Sequence, residues 1–165
     1  MIYTAWGRDG RAMTLIGGEG PPQLQDEDNS ELIWRIEADS WEEAMQKYYT
    51  LQGWGTYRPI EDLVELLTVA ERFQLNYGLV VVPDFSVPDG WKNRSAIVTI
   101  VLPDGKHRVA KASLAVAHFR IPDPAASSDK RWRLVVSFPT MRKEDVPIGS
   151  KVMVPISLRT AIQSR

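Results

Sequence analysis

The chain has no cysteine and only two histidines in 165 residues. Without a thiol there is no disulfide framework, no thiolate nucleophile and no cysteine-ligated zinc. Long apolar runs are missing too. The longest, Gly78 to Pro83, falls far short of the ~20 residues that cross a bilayer and reads as a buried strand. The opening MIYTAWGRDG lacks the basic and apolar regions of an export signal, which makes the cytoplasm the expected compartment. No phosphate loop ending in Gly-Lys-Ser or Gly-Lys-Thr occurs, and Gly17-Gly18-Glu19-Gly20 has no lysine to reach a phosphate. No GxSxG turn makes a nucleophile of Ser113 or Ser137. Asp26, Glu27 and Asp28 are adjacent carboxylates, but a glycine- and proline-rich loop leaves them to water rather than tuning them as acid and base. His107 and His118 are eleven positions apart, so on one continuous strand they point to opposite faces, with no further metal ligands converging. The expectation is a non-enzyme, with no catalytic residues, no metal and no cofactor.

What is present is an ordinary globular composition, with 44% hydrophobic and 25% charged residues. The formal net charge of -1 hides an asymmetry. Residues 1–90 carry 6 Lys and Arg against 16 Asp and Glu, while residues 91–165 carry 14 against 5. Either the acidic half docks on the basic half, both sets being solvated, or the basic half meets an anionic partner such as RNA or an acidic protein surface.

Asp9-Gly10 between IYTAW and AMTLI marks a hairpin. The stretch Gly17 to Glu31 is an acidic glycine and proline loop, expected to be mobile. ELIWRIEA then alternates, with Leu32, Trp34, Ile36 and Ala38 on one face of a strand. Ser40 with Glu43 spells a capping box, and Trp41, Ala44, Met45, Tyr48 and Leu51 follow at helical spacing until Gly53. Ile60, Leu63, Val64 and Leu67 suit a short second helix. From there six strand-like segments separated by turn residues suggest a closed barrel, because closure removes exposed edges. The fold class expected is α+β, mainly β. A small strand–helix layer (residues 1–58) and a connector (59–68) precede a six-stranded antiparallel β-barrel (69–165).

Three stretches carry a resemblance: VAERFQLNYGLVVVP, SAIVTIVLPDGKHRVAKASL and RKEDVPIGSKV. Together they are similar to the second-domain β-barrel of elongation factor Tu and of small bacterial proteins sharing that fold, with Phe73, Gly78, Val80 to Val82, Asp104-Gly105 and Gly149 at the matching turns and strands. The family's Gly-Arg-Gly turn is replaced by Asn76-Tyr77-Gly78, and the GTPase motif is absent. The resemblance implies a barrel, not translation-factor activity.

Two sets of residues are candidates for binding. Trp54, Tyr57 and Arg58, between glycines and Pro59, could form a recognition loop for a protein partner. In that reading the chain is an interaction protein of immunity or regulatory type, using its acidic loop. Lys92, Arg94, Lys106, Arg108, Lys130, Arg131, Trp132 and Arg133 interleave cations with rings as single-stranded nucleic-acid grooves do. On an alternating strand, however, Trp132 would face away from Arg131 and Arg133, and the bland alternative buries it in the barrel.

Overall fold

The computed structural model describes residues 1–19 and 30–163. The loop with Asp26, Glu27 and Asp28, expected to be mobile, therefore lies outside the described residues. The chain divides into two compact units, Met1–Pro59 and Ile60–Arg165. This boundary does not coincide with the charge asymmetry. The first unit carries 5 Lys and Arg against 10 Asp and Glu, and the second 15 against 11.

In the first unit β1 (Ile2–Arg8), β2 (Arg11–Gly17) and β3 (Glu31–Glu37) form an antiparallel sheet of order β2-β1-β3, followed by α1 (Trp41–Gln52). Asp9 and Gly10 both take positive φ, 53° and 72°, as a tight two-residue hairpin turn demands. β3 does not alternate throughout. Ala5 pairs with Trp34 but Trp6 pairs with Leu32, so Ile33 is an extra bulged residue. The bulge turns Leu32 outward, against expectation, while Ile36 and Ala38 stay buried.

Helix α1 begins where the sequence places it. Ser40 Oγ accepts from the Glu43 N–H at 3.2 Å, while the Glu43 carboxylate accepts from Asp39 N–H at 2.8 Å rather than from Ser40. It ends at Gly53, left-handed at φ 70°, with Trp54 N–H donating to Tyr49 O. Its buried residues are Ala44, Met45, Tyr48 and Tyr49. Trp41 and Leu51, expected on the core face, are 40% and 50% exposed. Tyr49 takes part of the core instead, because the apolar stripe of a helix is wider than one row of i, i+4 positions.

The second unit is a curled antiparallel sheet of seven strands. They are β4 (Leu63–Thr68), β5 (Glu71–Leu75), β6 (Gly78–Ser86), β7 (Arg94–Val101), β8 (His107–His118), β9 (Trp132–Phe138) and β10 (Lys151–Pro155). Their order is β4-β10-β7-β8-β9-β6-β5. The helix expected over Ile60–Leu67 is instead a 3-10 turn, Ile60–Asp62, and a strand. The reason is a bulge: Val152 pairs with Leu67 and Met153 with Glu65, so Leu66 is the extra residue and both leucines are buried. Two consecutive apolar residues broke the period of two and imitated a helix. Residues 63–68 thus belong to the sheet and not to a connector. Two helices went unforeseen. One is the single turn α2 (Ser128–Arg131), within the expected polar loop, and the other is α3 (Ile156–Gln163), with Leu158 and Ile162 buried one turn apart.

Cross-strand partners share a face, and one face of this sheet holds the core. It carries Leu79 and Val81, Leu134 and Val136, Leu114 and Ala112, Val98 and Ile100, and Val152, all 2% exposed or less. At Gly78, with φ 139°, a Cβ would stand 2.7 Å from the Phe138 carbonyl oxygen, so this turn admits no side chain.

Candidate ligand-binding site on the second unit

The basic residues expected to line a groove separate into two kinds. Arg108 lies opposite Ile100, hence on the core face. Its side chain is only 10% exposed, and its guanidinium meets the carboxylate of Asp145, a side chain 4% exposed, at 3.3 Å. Asp145 also accepts the Arg142 N–H at 2.8 Å, closing the 3-10 turn Lys143–Asp145. Arg72, opposite Val81 on that face, donates to the Lys143 and Val146 carbonyls. Two core-face arginines therefore stitch RKEDV onto the sheet, and Arg108 is structural.

Arg131 belongs to α2 and donates to the carbonyls of Ile121, Asp123 and Ala126, clamping the loop before it. Arg133, on the face away from the core, is held by Asp84 at 3.4 Å and Asp129 at 3.3 Å. Neither serves a ligand's phosphate without abandoning these partners. Lys106, in the Asp104-Gly105 hairpin, lies 3.9 Å from Asp104.

The other cations are differently placed. Arg94 pairs with Leu114, and His118 lies four residues further along β8, opposite Trp132. Arg94, His118 and Trp132 therefore share the core face, beyond the buried residues, and all three are exposed. Trp132 is 48% exposed, and its ring lies 4.6 Å from the His118 ring at 56°. It is neither part of the core nor a companion of Arg131 and Arg133. The Arg94 guanidinium sits 5.1 Å over the half-buried Trp91 ring. Asn93 Oδ1 accepts the Val116 N–H at 2.9 Å, bringing the Trp91–Arg94 segment alongside the last residues of β8. Lys92 and Lys130, near Arg94 and Trp132 in the chain, are exposed and make no ion pair among the described residues. Arg94 and His118 were the residues whose grouping with Trp132 sequence spacing could not show, since it depends on strand register.

Trp54, Tyr57 and Arg58 do not form a free recognition loop. Trp54 stands edge-on to Tyr48 and Tyr49, with ring centroids 5.7 and 5.5 Å apart, and Tyr57 packs on Tyr49 at 5.3 Å. Tyr57 N–H donates to Gln46 Oε1, and only Arg58 is exposed. This aromatic cluster fastens the end of the first unit to α1. A polar hollow of the first unit is bounded by Met1, Glu37, Asp39, Glu43 and Lys47. Lys47 bridges Glu43 at 2.6 Å, which holds the Glu43 carboxyl below the usual range, and also donates to Glu37 O.

Among the described residues no group of three or more His, Asp or Glu side chains is arranged to hold a metal ion. No helix among them is long and apolar enough to cross a membrane. Comparison with protein-family models, with curated proteins and with solved structures found no match.

Proposed function

We propose that this chain is a binding protein whose second unit takes single-stranded nucleic acid, RNA or DNA, on the surface formed by Trp132, His118, Arg94, Lys92 and Lys130. The observation that carries this reading is Trp132, a half-exposed ring packed against His118 at a 56° tilt on the sheet face that also bears Arg94. Rings accept any base by stacking, and unpaired cations beside them follow phosphates. Stacking and charge are the chemistry this grouping supplies, so the role is recognition rather than catalysis.

We also read the curled sheet as a closed six-stranded barrel like that of the elongation factor Tu second domain, with residues 63–75 as one bent strand. Val69 N–H donates to Ser150 O at 2.8 Å and Ala70 N–H to Val82 O at 2.9 Å, which supports this closure. The same stretch thereby reaches β10 on one side and β6 on the other.

The test is a fluorescence-anisotropy titration with labelled oligouridylate and oligothymidylate at low salt. The logarithm of the affinity should fall linearly with the logarithm of salt, with a slope of about 0.7 per phosphate contacted. Trp132→Ala should weaken binding by about 1–3 kcal/mol, one stacked base, without changing the far-UV circular dichroism. No binding at tens of micromolar protein, or binding indifferent to Trp132→Ala, overturns the reading.

A protein-partner reading draws support from one feature. Phe73, 51% exposed, Leu75 and Tyr77 line the exposed side of the β5–β6 hairpin. Clustered exposed apolar side chains suit a protein partner. If that reading holds, Phe73→Ser leaves the fold intact and abolishes association with the partner.

A further inference from the structure

The Trp91–Arg94 pair is a second ring-and-cation element near the first, and Trp132 alone does not explain it. We infer that the two form consecutive stacking platforms, so that the ligand is an oligonucleotide spanning both and not a mononucleotide. This rests on the nucleic-acid reading above.

The register places the two platforms. Arg94 lies opposite Leu114 and Trp132 opposite His118 on the same face. Four residues along a strand, at about 3.3 Å each, and the two strand spacings of about 4.8 Å from β7 to β9 separate the two positions by about 16 Å. At the stacked spacing of about 3.4 Å per nucleotide, about four to five nucleotides span that distance. The guanidinium of Arg94, 5.1 Å from the centre of the Trp91 ring and exposed, offers a plane on which a base can stack, as guanidinium groups do in single-strand recognition. Asn93 is the positioning residue. Its side chain accepts the Val116 N–H, a bond that fixes the Trp91–Arg94 segment against β8, two residues from His118. Lys92, exposed beside Asn93, and Lys130, two residues before Trp132, are placed to meet the intervening phosphates.

The experiment compares the full chain binding thymidine monophosphate, a tetramer and a dodecamer of thymidylate. Affinity should rise sharply between the monophosphate and the tetramer and then only gradually. Arg94→Lys keeps the charge but has no planar face to stack. It should keep the salt slope and lose at least about fivefold on the tetramer and dodecamer, the low end of one stacking contact. Asn93→Ala should show the same split, with monophosphate binding unchanged because Trp132 is untouched. If Arg94→Lys and Asn93→Ala bind the dodecamer like wild type while Trp132→Ala does not, a single platform operates and the inference fails alone. If nothing binds at any length, the nucleic-acid reading fails with it.

Discussion

The buried pair Arg108–Asp145 makes the sharpest claim about stability. Its side chains are 10% and 4% exposed, and Asp145 additionally accepts the Arg142 N–H at 2.8 Å. Removing one partner of a buried pair costs about 3–5 kcal/mol, because the other charge is left without compensation. The carboxylate contact is 3.3 Å long, and the Asp145 backbone carbonyl, which also accepts from Arg108 at 3.4 Å, survives the substitution, so Asp145→Ala should fall at the low end, about 3 kcal/mol. The orphaned Arg142 N–H adds about 1 kcal/mol. With a urea slope of about 1–2 kcal/mol per molar, the unfolding midpoint of the second unit should fall by about 2–4 M. Urea unfolding followed by amide exchange on β8 and β9 isolates that unit from the first. Asp145→Asn keeps one acceptor but turns the other into an NH2 donor facing either the Arg142 N–H or the Arg108 guanidinium, so it should lose nearly as much. Arg108→Met combined with Asp145→Ala should be less destabilised than the sum of the single variants, since no lone charge remains buried. A midpoint shift below about 0.5 M for Asp145→Ala, or simple additivity in the cycle, would refute the idea that this pair holds RKEDV onto the sheet.

Three further predictions concern α1. Ser40→Ala should destabilise the first unit by about 1 kcal/mol, the usual loss of an N-cap. Met45→Ala, at a site 5% exposed, should destabilise it by about 2–5 kcal/mol, both readable by thermal or urea unfolding. Burial pushes the Tyr48 hydroxyl up to about 12, partly offset by its hydrogen bond from Gln52. The unfolded tyrosine ionises near pH 10, so stability from this group is complete below about pH 10 and declines by about 1.4 kcal/mol per unit up to pH 12. Tyr48→Phe should remove that decline, and an unchanged alkaline profile in the variant would disprove it.

Much of the local structure was legible in the residues themselves. Asp9-Gly10 and Asp104-Gly105 form their hairpins, Ser40 and Gly53 bound α1, and all six strand-like segments from Glu71 onward are strands. These features rest on backbone preferences and on hydrogen bonds to near neighbours, which a short window contains. Whatever depends on pairing across the sheet was not legible. Leu66 became a bulged residue only because β10 supplied an edge, and that turned an expected helix into β4. Arg108 and Arg131 were counted as ligand-binding cations, yet partners 37 and 5 to 10 residues away consume them. Trp132 found its companions, His118 and Arg94, through register alone. A side chain's face follows from its own strand's period of two, but which charges and rings share that face is decided by long-range pairing. Such pairing leaves no periodic trace in either segment taken singly.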